Sequence, residues 1–286
     1  MGNAPWNVKI LVHNYARKRK LWGEHGLSLL VTPPSSEESL LFDTGQSGEV
    51  LLNNAARLDV SLGAVGRVVL SHGHYDHTGG LPRLFGFLRK GIPVFCHPAA
   101  FERKLRSRSP DSFVGSPLMS EELERYGASL ELSTEPKELL PNLWSTGEVP
   151  RSHEFEKEAT EGFYVESIEG EVTPDSIPDD LSLVIRFPGE GLFLLCGCCH
   201  AGLINTLEHA MSVTGEDRIL GILGGLHMVG ASERRLERTF SLLEKLHPEA
   251  LYPLHCAGQR ESVLIEQRFP EITTLLTVGE ELQITP

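Results

Sequence analysis

The segment VVLSHGHYDHTGGLP, residues 68–82, places His72, His74, Asp76 and His77 within six positions. Imidazole nitrogens and carboxylate oxygens are ligand atoms suited to zinc, iron, manganese or nickel. The four residues follow RVVLS (67–71), an apolar run of the kind that forms a buried strand. They are therefore expected on a loop at the carboxyl end of that strand, where α/β folds usually bind ligands. His72 and His74 are two apart, so an extended backbone presents both from one face. Gly73 between them is expected to permit a tight turn with unusual dihedrals. Asp76 and His77 add a carboxylate and a third imidazole after the chain has turned. Four ligand-type residues on one loop can begin two metal sites, and other parts of the chain must finish them.

The elements that would position this loop can be read along the chain. VKILVHN (8–14), LSLLVTP (27–33) and SLLFDTG (39–45) have strand character and short connections, so the chain is expected to open antiparallel. QSGEVLLNNAARL (46–58) has helical spacing of apolar residues. GGLPRLFGFLRKG (79–91) is expected as a helix with Pro near its start and Gly at its end, followed by the strand IPVFCHP (92–98). Residues 98–142 are irregular, and AFERKLRSRSPDSF (100–113) gathers Arg103, Lys104, Arg106 and Arg108. That cluster reads either as a solvated helical face or as an anion site. LWSTGEVPR (143–151), GFYVES (162–167), LSLVIRF (181–187) and GLFLLCGC (191–198) are strand-like. The rest alternates: helix 201–213, strand 218–227, helix 232–246 with Ser232 as N-cap, strand 250–256 and helix 260–269. A β-rich run followed by α/β alternation occurs twice, which points to layered α/β architecture with two sheets and outer helices.

Composition bounds the setting. The 286 residues are 40% hydrophobic and 23% charged, an ordinary globular balance, and form one expected domain, 1–286, with an irregular insertion around 98–142. The formal net charge of −13 argues against nucleic acid as a partner. No run approaches the ~18 apolar residues of a membrane span. The N-terminus lacks a signal-peptide pattern, and Trp6 stands where a Met-Gly myristoylation signal needs Ser or Thr. The five cysteines, Cys96, Cys196, Cys198, Cys199 and Cys256, are odd in number and include adjacent residues, unlike a disulfide framework. A cytoplasmic protein with a small-molecule substrate is the expectation.

HGHYDH resembles the His-x-His-x-Asp-His signature of the metallo-β-lactamase superfamily, and the resemblance covers nearly the whole chain. LLFDTG with Asp43 resembles the early Asp motif, and PLHC with His255 the late-histidine strand end. HG (25–26), GEVPR (147–151), GCCHAG (197–202), GGLH (224–227) and HCAG (255–258) are similar to the 7,8-dihydropterin-6-methyl-4-(β-D-ribofuranosyl)aminobenzene-5′-phosphate synthase group. The resemblance implies an αββα sandwich of mixed sheets holding one or two divalent metal ions. Zinc is expected, with iron, manganese or nickel as alternatives. His72 and His74 would bind the first ion, and Asp76, His77 and His255 the second. The superfamily adds a histidine and a bridging aspartate from the middle of the chain. Here Cys198 stands where that aspartate is expected, and a thiolate can also ligate zinc or iron. His200 is favoured for the histidine, with His153 in VPRSHEFE as the alternative.

The implied activity is that of a hydrolase. A bound metal lowers the pKa of water toward ~7 and stabilises a developing oxyanion. Asp76 would position the nucleophile, and His227 would protonate the leaving group or contact substrate. Asp43 would orient a ligand imidazole rather than bind metal. Arg103 and Arg106 would receive a phosphate if the substrate is a phosphorylated pterin or nucleotide-like molecule. Iron-dependent redox or dioxygen chemistry, and a non-catalytic metal-sensing role, are the alternatives.

Overall fold

The protein was analysed as a computed structural model that describes residues 4–286. The Met-Gly start weighed above as a lipidation signal lies outside the described residues. The chain divides into two compact units. Unit one runs to Leu132 and adds Phe163–Asp175 and Thr277–Thr285, and unit two comprises Ser133–Gly162 and Ser176–Leu276.

Unit one begins with strands β1 (Trp6–Val12), β2 (Ser28–Thr32) and β3 (Ser39–Phe42), then helix α1 (Glu49–Arg57). Strand β4 (Val65–Val69), helices α2 (Tyr75–Thr78) and α3 (Leu81–Leu84) and strand β5 (Ile92–Cys96) follow. Strand β6 (Arg103–Leu105), helix α4 (Ser120–Arg125) and strand β7 (Ala128–Leu132) complete its first segment. In unit two, β8 (Lys137–Leu140) and β9 (Leu143–Ser145) come first. The chain then returns to unit one for β10 (Tyr164–Glu166) and β11 (Val172–Pro174). Unit two resumes with β12 (Ser182–Phe187), β13 (Gly191–Cys196), α5 (Leu203–Thr214), β14 (Ile219–Gly225), α6 (Glu233–Leu246), β15 (Leu251–Leu254) and α7 (Gln259–Arg268). Strand β16 (Glu281–Ile284) closes unit one.

The main sheet of unit one has the order β16-β1-β2-β3-β4-β5-β7. It is mixed: β16, β1, β2 and β3 pair antiparallel, with only β2 and β3 joined by a short loop, whereas β3, β4, β5 and β7 pair parallel. Its core gathers Leu11, Leu41, Val68, Leu70 and Val94 around Leu51 and Ala55 of α1. The sheet of unit two has the order β15-β14-β13-β12-β9-β8, parallel across β13, β14 and β15 and antiparallel elsewhere. Helix α6 turns Leu236, Phe240 and Leu243 into that unit's core at spacings of four and three. Ser232 caps it, its hydroxyl accepting from the Arg235 N–H at 3.2 Å. Full burial of each such leucine contributes roughly 2 kcal/mol.

Two expectations need correction. The helix over 79–91 shrinks to the single turn of α3, followed by a hydrogen-bonded turn at Phe85–Phe87 and a bend at Leu88 rather than by further helix. The basic stretch 100–113 is not a helical face. Arg103–Leu105 forms β6, paired antiparallel with β10 some sixty residues later, and β10 pairs with β11 in a three-stranded sheet. Lys104 is not solvated but wholly buried against Asp175, Nζ to Oδ2 3.1 Å. Among the described residues no helix is long and apolar enough to cross a membrane.

Candidate metal-binding sets

In unit one, β4 delivers the chain into the loop 71–74, and α2 follows at once. His72, His74, Asp76 and His77 are all buried. The ring centroids of His72 and His74 lie 4.6 Å apart and those of His72 and His77 4.3 Å apart. Gly73 is required by space rather than by its dihedrals, which is a correction to the expected turn. A Cβ there would lie 2.0 Å from the Ala100 carbonyl oxygen, and the residue does not adopt a positive φ.

A carboxylate behind the loop fixes the imidazoles. Asp43, fully buried after β3 with φ +61°, accepts from the Ser71 N–H at 2.7 Å and the Ser71 hydroxyl at 2.6 Å. Its Oδ2 also lies 2.6 Å from His77 Nδ1. A carboxylate can only accept, so the His77 proton sits on Nδ1 and Nε2 offers its lone pair. The Ser71 hydroxyl contacts His72 Nδ1 at 2.9 Å. Burial, then the neighbouring His77 and His74, holds the His72 pKa well below its ordinary 6.5, so this ring is neutral, as a ligand must be. Asp76 Oδ2 lies 3.1 Å from Nε2 of the half-exposed His25 and 3.7 Å from His77 Nε2.

The two arginines expected at a phosphate are in the same unit. Arg103 donates to Glu166 at 2.6 Å and to the Pro110 carbonyl at 3.1 Å. The Arg106 guanidinium sits 4.4 Å from the centroid of Phe163, whose ring stacks on His74 at 4.9 Å. One aromatic ring thus separates Arg106 from a candidate ligand.

Unit two carries a second set. After β13, Gly197 leads into Cys198, Cys199 with φ +59°, and His200. Cys198, His200 and His227 bring one ligand atom each within 4.8 Å of one another, and so do Cys198, His255 and Cys256. His200 and His227 rings lie 4.1 Å apart. His153 joins no such group among the described residues; its Nε2 pairs with Glu208 at 3.0 Å. Of the two histidines in competition, His200 is the one placed beside Cys198.

Buried polar groups hold the His200 turn. Arg151 donates to the His200 carbonyl at 2.7 Å and to the carbonyls of Ser176 and Ile177. Asp180 accepts from the Ala201 N–H at 2.8 Å, and the His200 backbone N–H also supports its carboxylate. Burial raises the Asp180 pKa to about 6, against the pull of the Ala201 N–H and the Arg151 charge. Asp180 carries no motif and was invisible in the sequence. His25 and Cys256 stand inside quoted motifs, HG and HCAG, yet nothing in their spacing assigned them chemistry.

Imidazoles, a carboxylate and buried thiols make a donor set that fits a borderline divalent cation such as zinc and is too soft for magnesium or calcium.

Comparison with known proteins agrees with this chemistry. Residues 21–255 match the family model of the metallo-beta-lactamase superfamily. The chain is 30% identical over 283 residues to the 7,8-dihydropterin-6-methyl-4-(beta-D-ribofuranosyl)-aminobenzene-5'-phosphate synthase of Methanocaldococcus jannaschii, covering 96% of each protein. Its fold is similar to that of Tm1679, a metal-dependent hydrolase of the beta-lactamase superfamily, with TM-score 0.80 and 28% identity, over 98% of this chain and 100% of that one. It is also similar, in fold alone, to zinc-bound PqqB from Methylobacterium extorquens, with TM-score 0.55 and 16% identity, over 97% of this chain and 100% of that one. With its α/β class, mixed sheets and His-x-His-x-Asp-His loop, the chain belongs to the metallo-β-lactamase superfamily.

Proposed function

We propose that the protein is a metal-dependent hydrolase of a small ester or phosphoester, with a phosphorylated pterin- or nucleotide-like molecule as the substrate class. The observation that carries this reading is the buried trio His72, His74 and His77, with His72 held neutral by burial and the His77 tautomer fixed by Asp43. The ligands we assign are His72, His74, Asp76 and His77 in unit one and Cys198, His200 and His255 in unit two. When bound, a divalent metal, zinc first, supplies an activated water and stabilises oxyanion charge. Asp76 takes up and orients the proton of the nucleophile, and His25 at 3.1 Å shares that proton. His227 protonates the leaving group, a role supported by its ring lying 4.1 Å from that of His200. Arg106 and Arg103 receive the phosphate. The pterin compound in the name of the Methanocaldococcus jannaschii relative supports a phosphorylated heterocycle as substrate.

The test is turnover of p-nitrophenyl esters and phosphodiesters by zinc-loaded protein, alongside metal analysis and an absorption spectrum. Activity that His72→Ala reduces by at least about 100-fold is expected. Full turnover in that variant would overturn the assignment, and an iron chromophore with no hydrolysis would transfer the reading to redox chemistry.

A further inference from the structure

We propose that Cys256 supplies a second thiolate to unit two, forming with Cys198 and His255 a Cys2His site for zinc or another thiophilic divalent cation. This inference rests on the metal-dependent reading, shares Cys198 and His255 with it, and adds a ligand of a different chemical kind.

The topology brings the three residues together. β13 and β15 both run parallel to β14 and flank it, so their carboxyl ends emerge along one edge. Cys198 follows β13, and His255 and Cys256 follow β15. Between them β14 ends in Gly224-Gly225. A Cβ on Gly225 would lie 2.7 Å from Cys256 Sγ, 2.2 Å from the Gly197 carbonyl oxygen and 3.2 Å from Cys198 Cα. The bare backbone at Gly225 is what lets the two cysteines meet across the middle strand.

The donor geometry is that of a site rather than of chance neighbours. Cys198 and Cys256 Sγ lie 3.2 Å apart, and each of the three ligand atoms is within 4.8 Å of the others. Two sulfurs at about 2.3 Å from a tetrahedral zinc stand roughly 3.8 Å apart, so a shift of a few tenths of an ångström in each side chain is enough. His255 has φ +47°, and this left-handed backbone turns two adjacent side chains, His255 and Cys256, toward one point. The His227 N–H donates to Cys256 Sγ at 3.2 Å, the kind of support that ligand sulfurs receive from the surrounding backbone. Cys199 serves a different purpose: its Sγ donates to the Thr206 hydroxyl, and it packs in the apolar core. It is the internal control.

The experiment loads metal-free protein, prepared under reducing conditions, with cobalt(II) and records the near-ultraviolet thiolate-to-cobalt charge-transfer band. The band scales with the number of bound sulfurs, so C256S and C198S are each expected to lose about half of it and the double variant all of it. C199S is expected to keep it. Circular dichroism confirms that each near-isosteric variant is folded. An unchanged band in C256S would overturn the proposal, as would a metal-free Cys198–Cys256 disulfide in freshly reduced protein. The two readings fail separately. A two-sulfur band without any turnover sinks the hydrolase and leaves this site standing, whereas turnover with a C256S-insensitive band does the reverse.

Discussion

At the scale of the residue, the chemistry depends on side chains that hold others in place. Asp43 satisfies Ser71 twice and His77 once, all from full burial. Replacing it with Asn keeps the size but puts an NH2 donor either against the Ser71 N–H or against the Ser71 hydroxyl and the His77 Nδ1–H together. Zinc affinity of Asp43→Asn, measured by competition with a chromophoric chelator, is expected to fall ten- to a hundred-fold, about 1.4–2.7 kcal/mol. Unchanged affinity would remove Asp43 from the positioning role. Asp180 gives a pH signature. Its folded pKa is about 6 against 3.8 for an unperturbed carboxyl. Between those values the folded chain keeps a proton that the unfolded chain has released. Stability therefore declines as pH rises through this window, and above it the cost of charging Asp180 is fully present, roughly 3 kcal/mol. Asp180→Asn in the metal-free protein is expected to flatten the slope of unfolding free energy against pH from 4 to 6, as read by urea titration. An unaltered slope would contradict the raised pKa. The ligand loop was legible because four residues within six positions advertise it. Asp180 was not, since a buried carboxylate looks in sequence like any exposed one.

At the scale of the element, strands with contiguous or alternating apolar residues were legible, and elements defined by distant partners were not. β13 and β14 could be read directly, because burial on both faces writes near-continuous apolar residues into the chain. Helix α6 was equally plain, with a Ser cap and one apolar stripe. β6 carries no strand signal of its own, because its strand character comes from pairing with Tyr164–Glu166, not from its own Arg-Lys-Leu. The glycine between His72 and His74 is set by space and not by turn dihedrals. Turn dihedrals can be guessed from a sequence, but a carbonyl arriving from Ala100 cannot. This difference is measurable. An alanine tolerates the observed non-positive φ, so only the 2.0 Å contact opposes it. Gly73→Ala is expected to destabilise by roughly 1–3 kcal/mol as the loop is pushed off the Ala100 backbone. It is also expected to weaken zinc binding, because His72 and His74 move with it. A variant as stable as the parent in a denaturant titration would show that the loop yields freely.

At the scale of the whole molecule, the fold class followed from the order of elements, while the division into two compact units did not. No linker, composition shift or repeat marks the points where the chain leaves unit one at Leu132, re-enters it at Phe163 and returns at Thr277. The crossing points fall in ordinary sequence because strand pairing, not local composition, decides membership. β10 and β11 join unit one by pairing with β6, and β16 by pairing with β1. Each unit has its own apolar core and its own candidate metal-binding set, so cation binding should register in global stability. A ligand that binds only the folded chain stabilises it by about 2.7 kcal/mol at a hundred-fold excess over Kd. For a chain of this size that corresponds to a rise in Tm of roughly 5 °C or more. Zinc added to chelator-treated protein is expected to raise Tm by that order in a calorimetric scan, and EDTA to reverse it. His74→Ala should respond less than the parent, since its contribution to the shift arises only through bound metal. The exposed pair Arg83–Glu49, 2.7 Å across the surface of unit one, touches no ligand. Arg83→Ala should therefore show the full zinc-dependent rise. Equal responses in His74→Ala and Arg83→Ala would mean that the cation stabilises the fold from somewhere other than the histidine loop.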